Sequence, residues 1–166
     1  MAKIEKDEFE SFISDIVLNK DFNKLSFENH HGITRYEHSM RVAKYTYNVC
    51  KKTKNKRIKE VTRAALLHDF FINNDLKDES SSKKLKLHPE VALANAKKYY
   101  EIDKIQEDII VKHMFPITLS FPKYKESWLV SFVDKFVGLY EMVRFKLPLY
   151  TSIYLLFIIQ FITIPR

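Results

Sequence analysis

Apolar residues recur at helical spacing along most of the chain, and polar segments separate the runs. Phe9, Phe12, Ile13 and Ile16 fall on one stripe within residues 6–19, which is typical of an amphipathic helix. Further runs of this kind predict helices over residues 35–52, 57–71, 88–100, 103–115 and 125–145. No segment alternates with period two for long enough to predict a sheet. The pattern therefore predicts an all-α fold, a bundle of about six or seven helices.

Residues typical of helix ends mark several of these boundaries. Thr34 followed by Glu37 forms a capping-box pair in front of the helix over residues 35–52. Asp103 is the expected N-cap of a later helix. Pro89 suits the first position of a helix, so we expect a helix to begin at His88. The polar stretch before it, residues 73–84, is predicted to be an exposed loop.

The C-terminal stretch from Leu147 to Ile164 contains eighteen residues without a charged side chain. That length is at the lower limit for crossing a bilayer, and Pro148 and Gln160 weaken the case for a span. We expect residues 1–145 to form one helical domain, and residues 146–166 to form an apolar segment that packs on it or lies peripherally. Membrane association and an oligomer interface are the alternatives for this segment.

Composition narrows the class of protein. Two glycines in 166 residues leave little material for a glycine-rich phosphate loop. The single Cys50 excludes an internal disulfide framework and a thiolate zinc cluster. The N-terminal residues contain no apolar signal core, so we expect a cytoplasmic protein. The net charge of +7 favours an anionic partner, but no aromatic-interleaved basic motif supports nucleic-acid binding.

The run from Thr62 to Phe71 is apolar and ends in an adjacent histidine and aspartate, His68 and Asp69. These two groups are costly to bury unpaired. A metal ion binds both, because neutral imidazole and ionised carboxylate are standard metal ligands. A helix end with a dipole-stabilised His68 and a solvated Asp69 explains the pair equally well when it is taken alone.

Four more polar residues interrupt apolar helical faces or stand at helix ends: His38, His88, His113 and Asp134. Each of them alone has an ordinary explanation as a core or cap residue. Six such residues, distributed over the ends and interiors of the helices, favour a shared metal site.

The order of these residues resembles that of the HD superfamily of metal-dependent phosphohydrolases. The resemblance covers residues 30–140, and the segments Arg35–Ala43 and Ala64–Asp69 are similar to those of family members. It implies an all-α bundle of the HD-domain type with a metal centre in its middle. The cofactor it implies is a divalent transition metal (iron, manganese, cobalt, nickel or zinc), with two ions favoured over one.

The resemblance also implies a division of roles. One ion would be held by His38, His68, Asp69 and Asp134, and a second by His88, His113 and the bridging Asp69. His68 and Asp69 would then be the catalytic residues. A water activated between two such ions attacks phosphorus, so the implied activity is hydrolysis of a phosphate ester or anhydride.

Three residues near the predicted ligands are candidates for substrate binding. Arg41 follows His38 by one helical turn, although a structural ion pair explains it equally well. His31 and Lys135 are near predicted ligands in sequence, with an ordinary surface role as the alternative. We expect the partner to be a small phosphorylated molecule, in the first place a nucleotide.

Departures from better-known branches of the superfamily limit the choice of substrate. In guanosine-tetraphosphate hydrolases an acidic pair follows the His-Asp motif, and the residues after Asp69 lack this pair. The Gly-Tyr-Pro signature of cyclic-di-guanylate phosphodiesterases is also absent. The six-residue set is similar to that of bacterial dinucleoside-polyphosphate hydrolases. A di-iron oxygenase on the same scaffold and a non-catalytic metal-binding signalling module remain the alternative functions.

Overall fold

The structure, a computed structural model, describes residues 2–30 and 32–146. This part of the chain contains seven α-helices: α1 (Ala2–Val17), α2 (Lys20–Asn23), α3 (Arg35–Lys52), α4 (Ile58–Leu67), α5 (Ser81–Lys97), α6 (Lys104–Lys112) and α7 (Lys125–Glu141). The predicted all-α fold is confirmed, because the described residues contain no sheet beyond one ladder of two short strands.

Short elements join the helices. Lys24–Phe27 and Asn73–Leu76 are single 3₁₀ turns, and Met142–Lys146 is a π-helical turn that follows α7. Two strands of two residues each, β1 (Asn29–His30) and β2 (Ile33–Thr34), form an antiparallel ladder in which Asn29 lies opposite Thr34. This small ladder leads directly into α3.

The centre of the bundle is α4, which contacts α1, α3, α5, α6 and α7. Its residues Ala64, Ala65, Leu66 and Leu67 are completely buried. Only the last turn of α4 is apolar on all sides, which is typical of a buried helical segment, and each buried leucine contributes about 1.5–3 kcal/mol relative to an exposed one. Because α4 is central, the residues at its C-terminal end emerge in the middle of the molecule.

The start of α3 follows the predicted capping box. Thr34 is the N-cap; its Oγ1 accepts a hydrogen bond from the backbone N–H of Glu37 at 3.2 Å. The Glu37 carboxylate in turn accepts one from the backbone N–H of Thr34 at 2.9 Å. Asp103 is likewise confirmed as the N-cap of α6, since its side chain accepts from Ile105 N and Gln106 N.

The predicted start of the next helix was wrong. Pro89 was expected at the first position of a helix, but α5 begins at Ser81 and includes Pro89 in its interior. The proline removes only its own N–H from the ladder, and the two turns in front of it remain helical. Residues 73–84 are therefore only partly a loop, because they contain a 3₁₀ turn and the first turn of α5.

The predicted apolar segment, residues 146–166, lies outside the described residues except for Lys146. Within residues 2–30 and 32–146, no helix is long and apolar enough to cross a membrane. The proposed behaviour of residues 147–164 stays a prediction, as does the boundary of the domain at residue 145.

We predict that Thr34→Ala destabilises the protein by about 1 kcal/mol, because α3 loses an N-cap acceptor. Thr34→Ser keeps the hydroxyl and should cost much less. Urea unfolding of both variants measures the difference. Equal losses in the two variants would show that the capping hydrogen bond does not stabilise α3.

Candidate metal centre

All six predicted metal ligands lie in one buried cluster at the middle of the bundle. None of these six residues is more than 8% exposed. They come from five helices or the residues directly after them: His38 on α3, His68 and Asp69 after α4, His88 on α5, His113 after α6, and Asp134 on α7. The central position of α4 explains why residues distant in the sequence meet at its end.

One side of the cluster is formed by His38, His68 and Asp134. Nε2 of His38 lies 3.0 Å from Oδ1 of Asp134, and Nε2 of His68 lies 3.5 Å from the same oxygen. One nitrogen or oxygen from each of the three residues lies within 4.8 Å of the other two. A single ion could contact all three.

The other side of the cluster is organised around Asp69. Its Oδ1 lies 3.5 Å from Nε2 of His88 and 3.5 Å from Nε2 of His113. Its Oδ2 lies 3.8 Å from Nε2 of His68. His68, Asp69 and His113 also form a compact group within 4.8 Å. The Asp69 carboxylate therefore presents one oxygen to each side of the cluster.

The backbone sets the orientation of three of the four imidazole rings. In each of these rings Nδ1 faces a carbonyl oxygen: His68 faces Ala65 at 2.8 Å, His88 faces Lys84 at 3.1 Å, and His113 faces Ile110 at 2.7 Å. A carbonyl oxygen only accepts hydrogen bonds, so Nδ1 carries the proton in each ring. When such a ring is neutral, Nε2 holds a lone pair that points into the cluster, the form in which imidazole binds a metal.

These lone pairs lack protein donors of their own. Nε2 of His68 is buried and makes no hydrogen bond with any described residue. Nε2 of His88 and Nε2 of His113 face each other at 3.1 Å, where two lone pairs repel. A cation bound by both nitrogens would remove this repulsion. Imidazole nitrogens combined with carboxylate oxygens suit a divalent transition metal, so the residues fit the implied cofactor.

The two sides of the cluster differ in charge. Burial opposes a charge on His38, but hydrogen bonds to Asp134 and Glu141 outweigh it and raise the pKa of His38 to about 10. Burial also opposes ionisation of Asp134, yet the hydrogen bond with His38 holds the pKa of Asp134 well below the usual value. Burial lowers the pKa of His88 and lowers the pKa of His113 to about 3. The first side thus contains an ion pair, and the second contains neutral imidazoles.

A cavity of about 590 Å³ opens from this cluster toward the surface. Of the predicted substrate-binding residues, Lys135 lines it. Its Nζ donates to Oδ2 of Asp134 at 2.7 Å and to the His113 carbonyl oxygen at 2.6 Å. Lys135 therefore orients a cluster residue, and its contact with substrate stays a prediction.

Arg41, a second predicted substrate-binding residue, is not among the described residues that line the cavity. Arg41 donates to Oε1 of Glu141 at 3.2 Å, and its guanidinium lies 5.1 Å from the centre of the Phe145 ring. This contact is a structural ion pair, the alternative role considered for Arg41 in the sequence analysis. His31 lies outside the described residues, so its role remains a prediction.

Sequence reasoning missed Glu141, the last residue of α7. This glutamate is completely buried, and its Oε2 accepts a hydrogen bond from Nδ1 of His38 at 2.7 Å. A carboxylate behind a ligating histidine fixes the ring and increases its basicity. Glu141 follows Asp134 by seven residues, two helical turns on the same face, and that spacing was the signal available in the sequence.

Two basic residues of the cavity were also missed. Arg35 precedes His38 by three residues on α3, and Lys84 precedes His88 by four residues on α5, so each lies one turn away on the same face. Both residues line the cavity. Lys84 was assigned to a loop because the helix was expected to begin at His88.

Comparison with known families agrees with this geometry. The family model of the HD domain matches residues 35–142, a range that contains all six residues of the cluster. The chain belongs to the HD domain family, and the resemblance inferred from the sequence is confirmed. No curated protein and no solved structure gives a significant match.

We predict that Glu141→Ala weakens metal binding by about 10- to 100-fold, the usual effect of removing a hydrogen-bond partner from a ligating histidine. Glu141→Gln keeps an acceptor for His38 Nδ1 and should weaken binding less. Titration of the metal-depleted protein against a competing chelator measures the dissociation constants.

Glu126→Ala is the matched control, because Glu126 is also a buried glutamate of α7 but pairs with Asn55 instead. It should reduce stability without changing metal affinity. Equal metal affinities in Glu141→Ala and Glu126→Ala would show that Glu141 has only a structural role.

Proposed function

We propose that the chain is a metal-dependent phosphohydrolase that cleaves a phosphate ester or anhydride of a nucleotide or related small molecule. The observation that carries the proposal is the buried cluster of four histidines and two aspartates, in which the rings of His68, His88 and His113 direct Nε2 lone pairs inward when neutral. Membership of the HD domain family supports the reaction class, because its members are typically metal-dependent phosphohydrolases.

The chain's own residues divide into two ligand groups. His38, His68 and Asp134 would hold one ion, and His88 and His113 would hold a second. Asp69 would join the two groups, since one of its oxygens faces each. Ions bound in this way supply a water nucleophile at neutral pH and neutralise charge on the phosphoryl oxygens.

The surrounding residues hold the side chains of the cluster in place and shield the cluster from bulk water. Lys135 holds Asp134 through a 2.7 Å hydrogen bond, and Glu141 holds His38. The cavity gives a phosphoryl group access to the inner edge of the cluster, where every ligand residue is buried. In the overall reaction the oxygen of water bonds to phosphorus, the bond from phosphorus to the leaving oxygen breaks, and that oxygen takes up a proton.

We predict that Asp69→Asn lowers kcat/KM for phosphate-ester hydrolysis at least about 100-fold and reduces bound metal, because one carboxylate serves both ligand groups. The test is elemental analysis of the purified protein, together with a screen of p-nitrophenyl phosphate and nucleoside mono-, di- and triphosphates.

The control is Asp108→Asn, which alters a similarly buried aspartate of α6 that accepts a hydrogen bond from Lys123 N. This variant should keep both metal and activity. Unchanged activity in Asp69→Asn would refute the mechanism. Oxygen-dependent turnover of an iron-loaded protein without hydrolysis would favour the oxygenase alternative.

The second ion is tested separately. We predict that His88→Ala combined with His113→Ala removes one equivalent of metal from a protein that binds two, and that the remaining equivalent stays on His38, His68 and Asp134. Metal stoichiometry measured by elemental analysis at saturating ion checks this result. A wild-type stoichiometry of one, unaltered in the double variant, would eliminate the second site.

A further inference from the structure

The cavity leading to the metal centre has apolar walls at its outer end. Leu85 of α5, Ile117 after α6, Leu139 of α7 and Met142 of the π-helical turn all line it. These side chains are 44–58% exposed although they are large and apolar. Exposed apolar side chains grouped around a buried polar site are characteristic of ligand binding.

Gly138 lines the same cavity on α7, one turn after Asp134. Glycine in a helix interior is unfavourable relative to alanine. Its backbone is ordinary helix without a positive φ, so no turn requires glycine here. A Cβ built on Gly138 meets nothing within 4 Å in the described part of the chain. Neither backbone geometry nor close packing among these residues explains the glycine. Among the described residues, a side chain at this position would project into open space in the cavity that Asp134 also lines.

The positive charge in the cavity is limited. Three basic residues line it, but two of them are engaged by the protein. Arg35 forms an ion pair with the Glu28 carboxylate at 3.5 Å and donates to the Phe71 carbonyl oxygen at 2.9 Å. Lys135 donates to Asp134 and to the His113 carbonyl. Lys84 is the remaining basic side chain of the described lining. One such side chain provides little positive charge for binding a polyphosphate that carries several negative charges.

From these three features we propose that the substrate is a phosphate monoester whose organic group has a planar apolar face. The phosphoryl group lies at the metal centre, and the organic group lies against Gly138 between Leu139, Met142, Ile117 and Leu85. The inference rests on the proposed phosphohydrolase function and adds the class of leaving group. It disfavours polyphosphates, because the walls are apolar and their cations are few.

The first experiment compares benzyl phosphate with ethyl phosphate on the metal-loaded full-length chain. Both are alkyl monoesters with similarly basic leaving groups, so their intrinsic reactivities are close. We expect kcat/KM to be at least about tenfold higher for benzyl phosphate, a factor typical of filling an apolar pocket. We also expect AMP to be preferred over ATP when the metal ion is in excess over the nucleotide.

The second experiment uses variants of Gly138. Gly138→Ala should raise the thermal midpoint, because alanine is the better helix former, so any functional loss in it cannot be attributed to misfolding. Gly138→Leu should lower the benzyl-to-ethyl ratio of kcat/KM about tenfold while metal content stays at the wild-type level. Tyr140→Leu is the matched control, since Tyr140 is an exposed residue of α7 outside the cavity lining. It should leave the ratio unchanged.

A binding measurement gives a readout that does not depend on turnover. Benzylphosphonate should bind the metal-loaded protein at least about tenfold more tightly than ethylphosphonate, and Gly138→Leu should remove this difference. Equal hydrolysis of both esters and equal binding of both phosphonates would overturn the proposed substrate class while leaving the phosphohydrolase function intact. Absence of hydrolysis with every phosphate ester would instead refute the proposed function.

Discussion

The hydrogen bonds between histidine Nδ1 atoms and their acceptors determine which ring nitrogens face the centre of this protein. Three rings are anchored on backbone carbonyls and the fourth on Glu141. Each bond fixes a ring orientation and, in the neutral ring, places the lone pair on Nε2. Two of the anchors, Ala65 and Ile110, are carbonyls three residues back in the helix that delivers the histidine. The last turns of α4 and α6 therefore orient the histidines that follow them.

The position of α4 converts this local chemistry into a single site. Its last turn is apolar on every side, with Leu66 and Leu67 fully buried, and five other helices pack around it. His68 and Asp69 follow at once and so emerge in the interior, where polar groups are costly unless they find partners. The surrounding helices bring those partners, which explains why the cluster combines residues from almost the whole domain.

The helices could be predicted from local signals in the sequence, whereas the six-residue set was predicted from polar residues on apolar helical faces whose order resembles that of the HD superfamily. Capping residues such as Thr34 and Asp103 act within one turn, and apolar periodicity marks the core faces. Glu141 and Gly138 were missed for a different reason. The seven-residue spacing places Glu141 on the same face as Asp134, but it does not reveal that Glu141 contacts His38 on another helix. Likewise, the sequence does not show that Gly138 lines the cavity. Pro89 misled because the preference for a first-turn position is only statistical, and α5 tolerates the proline in its interior.

The spread of the cluster along the chain links ion binding to folding. His38 and Asp134 are 96 positions apart, and the other members come from elements between them. An ion held by residues of five helical elements would cross-link the bundle, because the unfolded chain has no such preformed site. By mass action, a free ion concentration of 100 times the dissociation constant adds about 2.7 kcal/mol to the stability of the folded state. If the cluster binds metal as proposed, the supply of metal in its surroundings would help to determine how much of this protein is folded.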